Sequence, residues 1–179
     1  MTIPDTISAT IYQIAVMHLF RTIIAALVFT CIASKSQASQ ILVPMDAEHQ
    51  ENHLKAYGIA YWVLDQQVHI YWLLNYCGGS FLIPHSPSIE KEFIIRGVSY
   101  QVISEATASS VLAEIASPSV NMEAVKLEVA PKMAVYSPKT ALPWDDAVTM
   151  VLTYAEIPYD IIYDEEVLRG DLSKYNWLH

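Results

Sequence analysis

The stretch from Lys132 to His179 constrains the fold more than any other, because it reads as strand, helix, strand, short helix and the start of a further strand. Met133 to Tyr136 is a short apolar run, and Ser137 to Pro143 carries the chain over a sheet edge. Trp144, Ala147, Val148, Val151, Leu152 and Ala155 then recur at three- and four-residue steps. Asp145 and Asp146 fall on the first turn of this helix, where its dipole favours negative charge, and Pro158 ends it. Tyr159 to Tyr163 reads as a second strand. Asp164 to Gly170 reads as a short helix with an Asp cap and a closing Gly, and Asn176 to His179 as a third strand beginning. This is how an open α/β sheet starts.

The preceding residues alternate in the same way. Leu54, Tyr57, Tyr61 and Leu64 form one helical stripe, predicting an amphipathic helix over Glu48 to Leu64. Val68 to Tyr76, rich in β-branched and aromatic residues, predicts a strand covered on both faces. Cys77-Gly-Gly-Ser80 makes a tight turn and Phe81 to Pro84 a second extended piece. Ser86 and Pro87 start a helix that Gly97 closes. Val98 to Ile103 reads as a strand, Ser104 caps a helix carrying Val111, Leu112 and Ile115, and Val125 to Val129 alternates as a strand with one wet face. Pro131 marks a boundary, dividing a region 39–130 from a region 131–179. The expected fold class is therefore α/β, with a parallel or mixed open sheet that binds ligands beyond the carboxyl ends of its strands.

Residues 1–38 read as an export signal. Arg21 precedes an apolar run from Thr22 to Ile32, and small residues at Ser36 and Ala38 follow it, which predicts cleavage after Ala38. The run is shorter than the roughly 20 apolar residues a membrane-spanning helix needs. Met17 offers an alternative start that would place Met-His-Leu-Phe-Arg directly before that run. The expected location is secreted or periplasmic, with membrane contact only during export. Cleavage takes Arg21, Lys35 and Asp5 from 10 basic and 19 acidic residues, leaving a net charge of −10. Such a surface repels phosphate backbones and disfavours nucleic acid as a partner. Cys31 leaves with the signal, so the lone remaining Cys77 has no partner for an intramolecular disulfide.

If the three C-terminal strands are parallel neighbours, their carboxyl ends bring Ser137, Asp164 and His179 to one edge. Hydroxyl, carboxylate and imidazole there can bind a small polar metabolite or share protons. Capping explains Asp164 equally well, and a turn explains Ser137. His49 and His53 stand one helical turn apart, a spacing that can chelate a metal, but the residue after His49 is Gln50 and no third ligand lies nearby. No metal site and no cofactor are expected. Cys77 before two glycines has the look of a nucleophile in a turn, yet the sequence supplies no base for it. The pairs Tyr61-Trp62 and Tyr71-Trp72 can stack on a sugar, or pack a core.

Four stretches carry a family likeness: HLKAYGIAYW from His53, WLLNYCGGSF from Trp72, PWDDAV from Pro143 and LTYAEIPYD from Leu152. With them the chain, from about Ile41 to His179, resembles a group of secreted bacterial proteins commonly labelled asparagine synthetase B. Those proteins look roughly twice as long, with a later part similar to class I glutamine amidotransferases. The resemblance implies that residues 131–179 begin a flavodoxin- or amidotransferase-like unit, incomplete in this chain. Asparagine synthetases expose a cysteine after the initiator Met and bind ATP through a Ser-Gly-Gly-x-Asp-Ser loop. Here position 2 is Thr2, the processed N-terminus would be Ser39, and that loop does not occur. The resemblance thus implies a module of an amidotransferase-like protein without a complete catalytic set. The competing expectation is a noncatalytic envelope module that binds carbohydrate or protein.

Overall fold

Two apolar triplets, Ile41-Leu-Val43 and Phe81-Leu-Ile83, are buried at every position, so the strands that carry them must be covered on both faces. The computed structural model describes residue 17 and residues 39–137, 139–140 and 146–179. The signal peptide expected over 1–38, like Trp144 and Asp145 of the expected helix, lies outside the described residues. The strands β1 (Ser39–Val43), β2 (Ile70–Leu74), β3 (Ser80–Pro84), β4 (Gln101–Ser104) and β5 (Glu123–Leu127) form one sheet in the order β4-β1-β3-β2-β5. Every pairing in it is antiparallel. Alternate side chains point to opposite faces, so Ile41, Val43, Phe81 and Ile83 join one core cluster while Leu42 and Leu82 join another.

The first cluster is closed by α1 (His53–Asp65) and α2 (Pro87–Arg96), which contribute Ile59, Val63 and Phe93. Each of these side chains is fully buried, a gain of about 1.5–3 kcal/mol apiece. The second cluster is closed by α3 (Glu105–Ile115) through Ala108, Val111 and Ile115. The expected cap signals operate as read. Ser86 Oγ accepts from Ile89 N with Pro87 on the first turn, Gly97 closes α2 at φ 64°, and Ser104 Oγ accepts from Thr107 N.

Helix α1 departs from expectation twice. It begins at His53 rather than Glu48, because the Asp46 carboxylate accepts the amides of Glu48 and His49 and holds them in a turn. Its buried residues are Ala56, Gly58, Ile59, Ala60, Val63 and Leu64, so Leu64 is buried as expected whereas Leu54 and Tyr57 are exposed. Ala56, Ile59, Ala60, Val63 and Leu64 all join the first core cluster. Strand β2 is also shorter than predicted, and Tyr71 on it is partly exposed.

After β5 the chain leaves the first sheet. A second sheet, in the order β7-β6-β8, is built from β6 (Met133–Tyr136), β7 (Asp160–Ile162) and β8 (Trp177–Leu178), and both of its pairings are parallel. The link from β6 to β7 contains α4 (Ala147–Ala155), capped by Asp146, whose Oδ1 accepts from Val148 N at 2.8 Å. The link from β7 to β8 contains α5 (Asp164–Leu168) and a 3-10 turn at Asp171–Lys174. The described residues thus show an α/β fold in which helices and strands alternate, one sheet being antiparallel and the other parallel.

Helix α4 lies against α1. A Cβ placed on Gly58 would stand 1.8 Å from the Ala155 carbonyl oxygen, so the two backbones meet where only glycine fits. Around this contact Glu156 pairs with Lys55 Nζ at 2.5 Å and with Arg96 Nη1 at 3.3 Å, and Tyr154 donates its hydroxyl proton to Asn52 Oδ1 at 3.3 Å. The Lys55 hydrogen bond, and beyond it the Arg96 charge, hold Glu156 below its ordinary 4.5. A carboxylate depressed in the folded state stabilises above its unfolded pKa and loses that contribution as pH falls through the folded one. Urea midpoints should therefore fall on acidification below about pH 4.5 more steeply in the native chain than in Glu156→Gln. Equal pH slopes in the two proteins would remove the carboxylate from this role.

Candidate functional site

Parallel pairing in the second sheet brings three strand ends to one edge. Tyr136 lies opposite Ile162 and Ala134 opposite Leu178, so Ser137, Tyr163 and His179 each follow directly on the paired residues. The backbone fixes them: Ser137 N donates to Ile162 O at 3.1 Å, Tyr136 N to His179 O at 2.8 Å, and His179 N to Ala134 O at 3.0 Å. The strand order places β6 between its two successors, so the chain runs to one side for β7 and returns to the other for β8. That reversal opens a crevice at the carboxyl ends of an open α/β sheet.

An open cleft of about 1110 Å³ lies there. Ser137, Thr140, Asp146, Asp164 and His179 supply its polar lining, and Val167, Leu168, Leu172 and Leu178 its apolar wall, with Tyr136 between them. A smaller recess of about 240 Å³ adjoins it and shares Tyr136, Ser137 and Asp164. All three residues singled out from the sequence therefore line one cavity. Among the described residues no hydrogen bond joins their side chains.

Asp164 does not cap α5. Residue Tyr163 occupies the cap position, and its amide donates to Glu166 Oε2 at 3.0 Å. The Asp164 carboxylate instead accepts the Tyr136 hydroxyl at 2.6 Å, and this bond raises the Tyr136 pKa because the phenol must keep its proton to donate. Nearby cations are already engaged. Lys139 reaches Glu165 at 2.6 Å, Arg169 reaches Glu166 at 2.8 Å and Asp171 at 3.1 Å, and Lys174 reaches Asp171 at 2.6 Å.

Sequence reasoning missed Tyr136, Thr140, Leu168 and Leu172, and read Asp146 only as a dipole partner. Tyr136 was open to discovery as the last residue of its strand. The leucines carry a weaker signal: Leu168 is 86% exposed, an unusual place for leucine on a short helix.

The other candidates have structural duties. His53 Nε2–H donates to Met45 O at 3.0 Å, while His49 Nδ1 pairs with Asp46 Oδ1 at 2.5 Å, so the two rings do not form a chelate. Asp46, Glu48 and His49 do bring three ligand-type atoms within 4.8 Å of one another, on a turn that Asp46 itself holds. Cys77 sits at φ 43° in the turn joining β2 to β3, where partial desolvation and then the Asp46 charge push its thiol pKa up, away from the thiolate. Trp72 stacks on Phe81 and donates Nε1–H to Gly79 O, and Tyr61 donates to Pro131 O, so both aromatic pairs contribute rings to packing. No helix among the described residues is long and apolar enough to cross a membrane.

Fold and cleft together define an α/β protein with a ligand-sized cavity where its parallel sheet reverses. Comparison with family models, with curated proteins and with solved structures finds no match to the chain.

Proposed function

We propose that the chain is the N-terminal portion of a secreted amidotransferase-like protein, and that its carboxyl-edge cleft binds or helps to process a small polar metabolite. The observation that carries this reading is the meeting of Ser137, Asp164 and His179 in one cavity at the reversal of strand order. Its volume of about 1110 Å³ lies just above the range for small-molecule sites, about 300–1,000 Å³. Among the described residues no base is held against Ser137 and the Cys77 thiol is pushed away from the thiolate, so in this reading the described portion supplies binding groups and the nucleophile lies elsewhere in the protein.

A second reading is a noncatalytic envelope module, favoured by the exposed rings of Tyr136, Tyr154 and Trp177. A thermal-shift screen of the protein in its full reading frame against amino acids, nucleotides and glycans separates the two. Stabilisation by amino acids, with glutamine hydrolysis, is the expected result. Stabilisation by glycans alone, without turnover, would replace the first reading with the second.

A further inference from the structure

We infer that the ligand of the carboxyl-edge cleft carries an ammonium group on an apolar body, an alkylamine-like cation and not a phosphate or carboxylate. This deepens the reading of the cleft as a ligand site and rests on it. The first ground is charge. Asp146 and Asp164 both line the cavity, and the described lining contains no lysine or arginine. Lys139, Arg169 and Lys174 stand close by, but each is bound to an acidic side chain of its own. Each cleft carboxylate spends one recorded bond locally, Asp146 on the Val148 amide and Asp164 on the Tyr136 hydroxyl, both through Oδ1. Neither forms an ion pair among the described residues; Lys139, beside Asp164 in the adjoining recess, is shared with Glu165 and offsets only part of this charge, so the lining favours a cation over an anion.

The second ground is the wall. Leu168, Leu172 and Leu178 line the same cavity and are 86%, 36% and 48% exposed, which leaves apolar surface for a ligand body to cover. A compact polyol or a bare metal ion would use the carboxylates and leave these leucines wet. An alkylammonium uses both, its head on charge-assisted hydrogen bonds to Oδ2 atoms and its chain on the leucines.

The test is a titration of the ¹⁵N-labelled chain with hexylammonium, hexan-1-ol and hexanoate, followed by amide shifts. Hexylammonium is expected to move Ser137, Asp164, Leu168 and Leu178 saturably, hexan-1-ol more weakly, and hexanoate not at all. Asp164→Asn, which keeps an acceptor for Tyr136, should weaken hexylammonium about tenfold, the loss of one charge-assisted bond. Leu168→Ala, on a side chain that is 86% exposed and so safe for folding, should weaken hexylammonium but not methylammonium. Equal or tighter binding of hexanoate would overturn the ammonium assignment while leaving the cleft as the site. Silence of these amides toward all three probes would overturn both.

Discussion

Replacing Gly58 with alanine should destabilise the chain by about 2 kcal/mol, although alanine is the better helix former. In a helix interior the exchange is worth about 1 kcal/mol in alanine's favour. Against it stands a Cβ only 1.8 Å from the Ala155 carbonyl oxygen and 2.9 Å from its carbon, both backbone atoms that cannot rotate away. Relief requires α1 and α4 to part, and overpacking of this kind costs roughly 1–3 kcal/mol or more. Parting them also stretches the Lys55–Glu156 and Arg96–Glu156 pairs and the Tyr154–Asn52 bond. The loss should concentrate on the second sheet, whose α4 is held to α1 by these contacts. Urea unfolding would show the lowered midpoint, and hydrogen exchange would show it first in α4, β6 and β7. An alanine variant as stable as the native chain would mean that the helices do not meet at Gly58.

Gln50→Leu should cost about 3 kcal/mol while preserving side-chain volume. This side chain is 2% exposed, and its one amide group serves four backbone groups. Its Nε2 donates to Pro44 O and Ser99 O, and its Oε1 accepts from Asn52 N and Ser99 N, at 3.2–3.3 Å. Leucine would leave these donors and acceptors without the partner that replaced water, and each buried orphan costs about 1–3 kcal/mol, part of it recovered by local rearrangement. The bonds tie the β1–α1 connection to the segment before β4, so their loss should free the turn that carries Asp46 and His49. Equilibrium unfolding of the Leu variant measures the cost. A loss below about 1 kcal/mol would show that solvent already satisfies these groups.

The C-terminal unit was legible in the sequence because its signals are local. Apolar triplets, an Asp before the helix and a Gly after the short one sit within a few residues of the elements they delimit, and parallel pairing follows from the helices between the strands. The first sheet was less legible. Alternating helices and strands suggested a parallel or mixed sheet, which left the pairing of each strand open; the tight turn read at Cys77 to Ser80 joins β2 to β3 with Asn75, Cys77, Gly78 and Gly79 at positive φ, too short for any pairing but antiparallel. The stripe of α1 was partly legible: Leu64 is buried as read, but Leu54 and Tyr57 are exposed while Ala56, Ile59, Ala60 and Val63 are buried. At Gly58 the helix meets the Ala155 backbone of α4, and nothing local in the sequence announces that neighbour. Asp164 shows the limit at the site: Asp before a helix looks like a cap, and its actual partner, Tyr136, lies 28 residues upstream.

The place of β1 has a consequence for synthesis. Its first residue, Ser39, pairs with Ser104 on one side, and its neighbour Gln40 pairs with Pro84 on the other. A nascent chain emerging amino end first therefore holds Ile41-Leu-Val43 unmatched until Phe81 to Ile83 are made, and keeps the other flank of the strand open until Gln101 to Ser104 follow. During that interval a strand whose last three residues are buried in the finished protein is an exposed, sticky segment. Chaperone capture, and the speed at which the ribosome delivers Ser104, would govern how much of the product escapes aggregation.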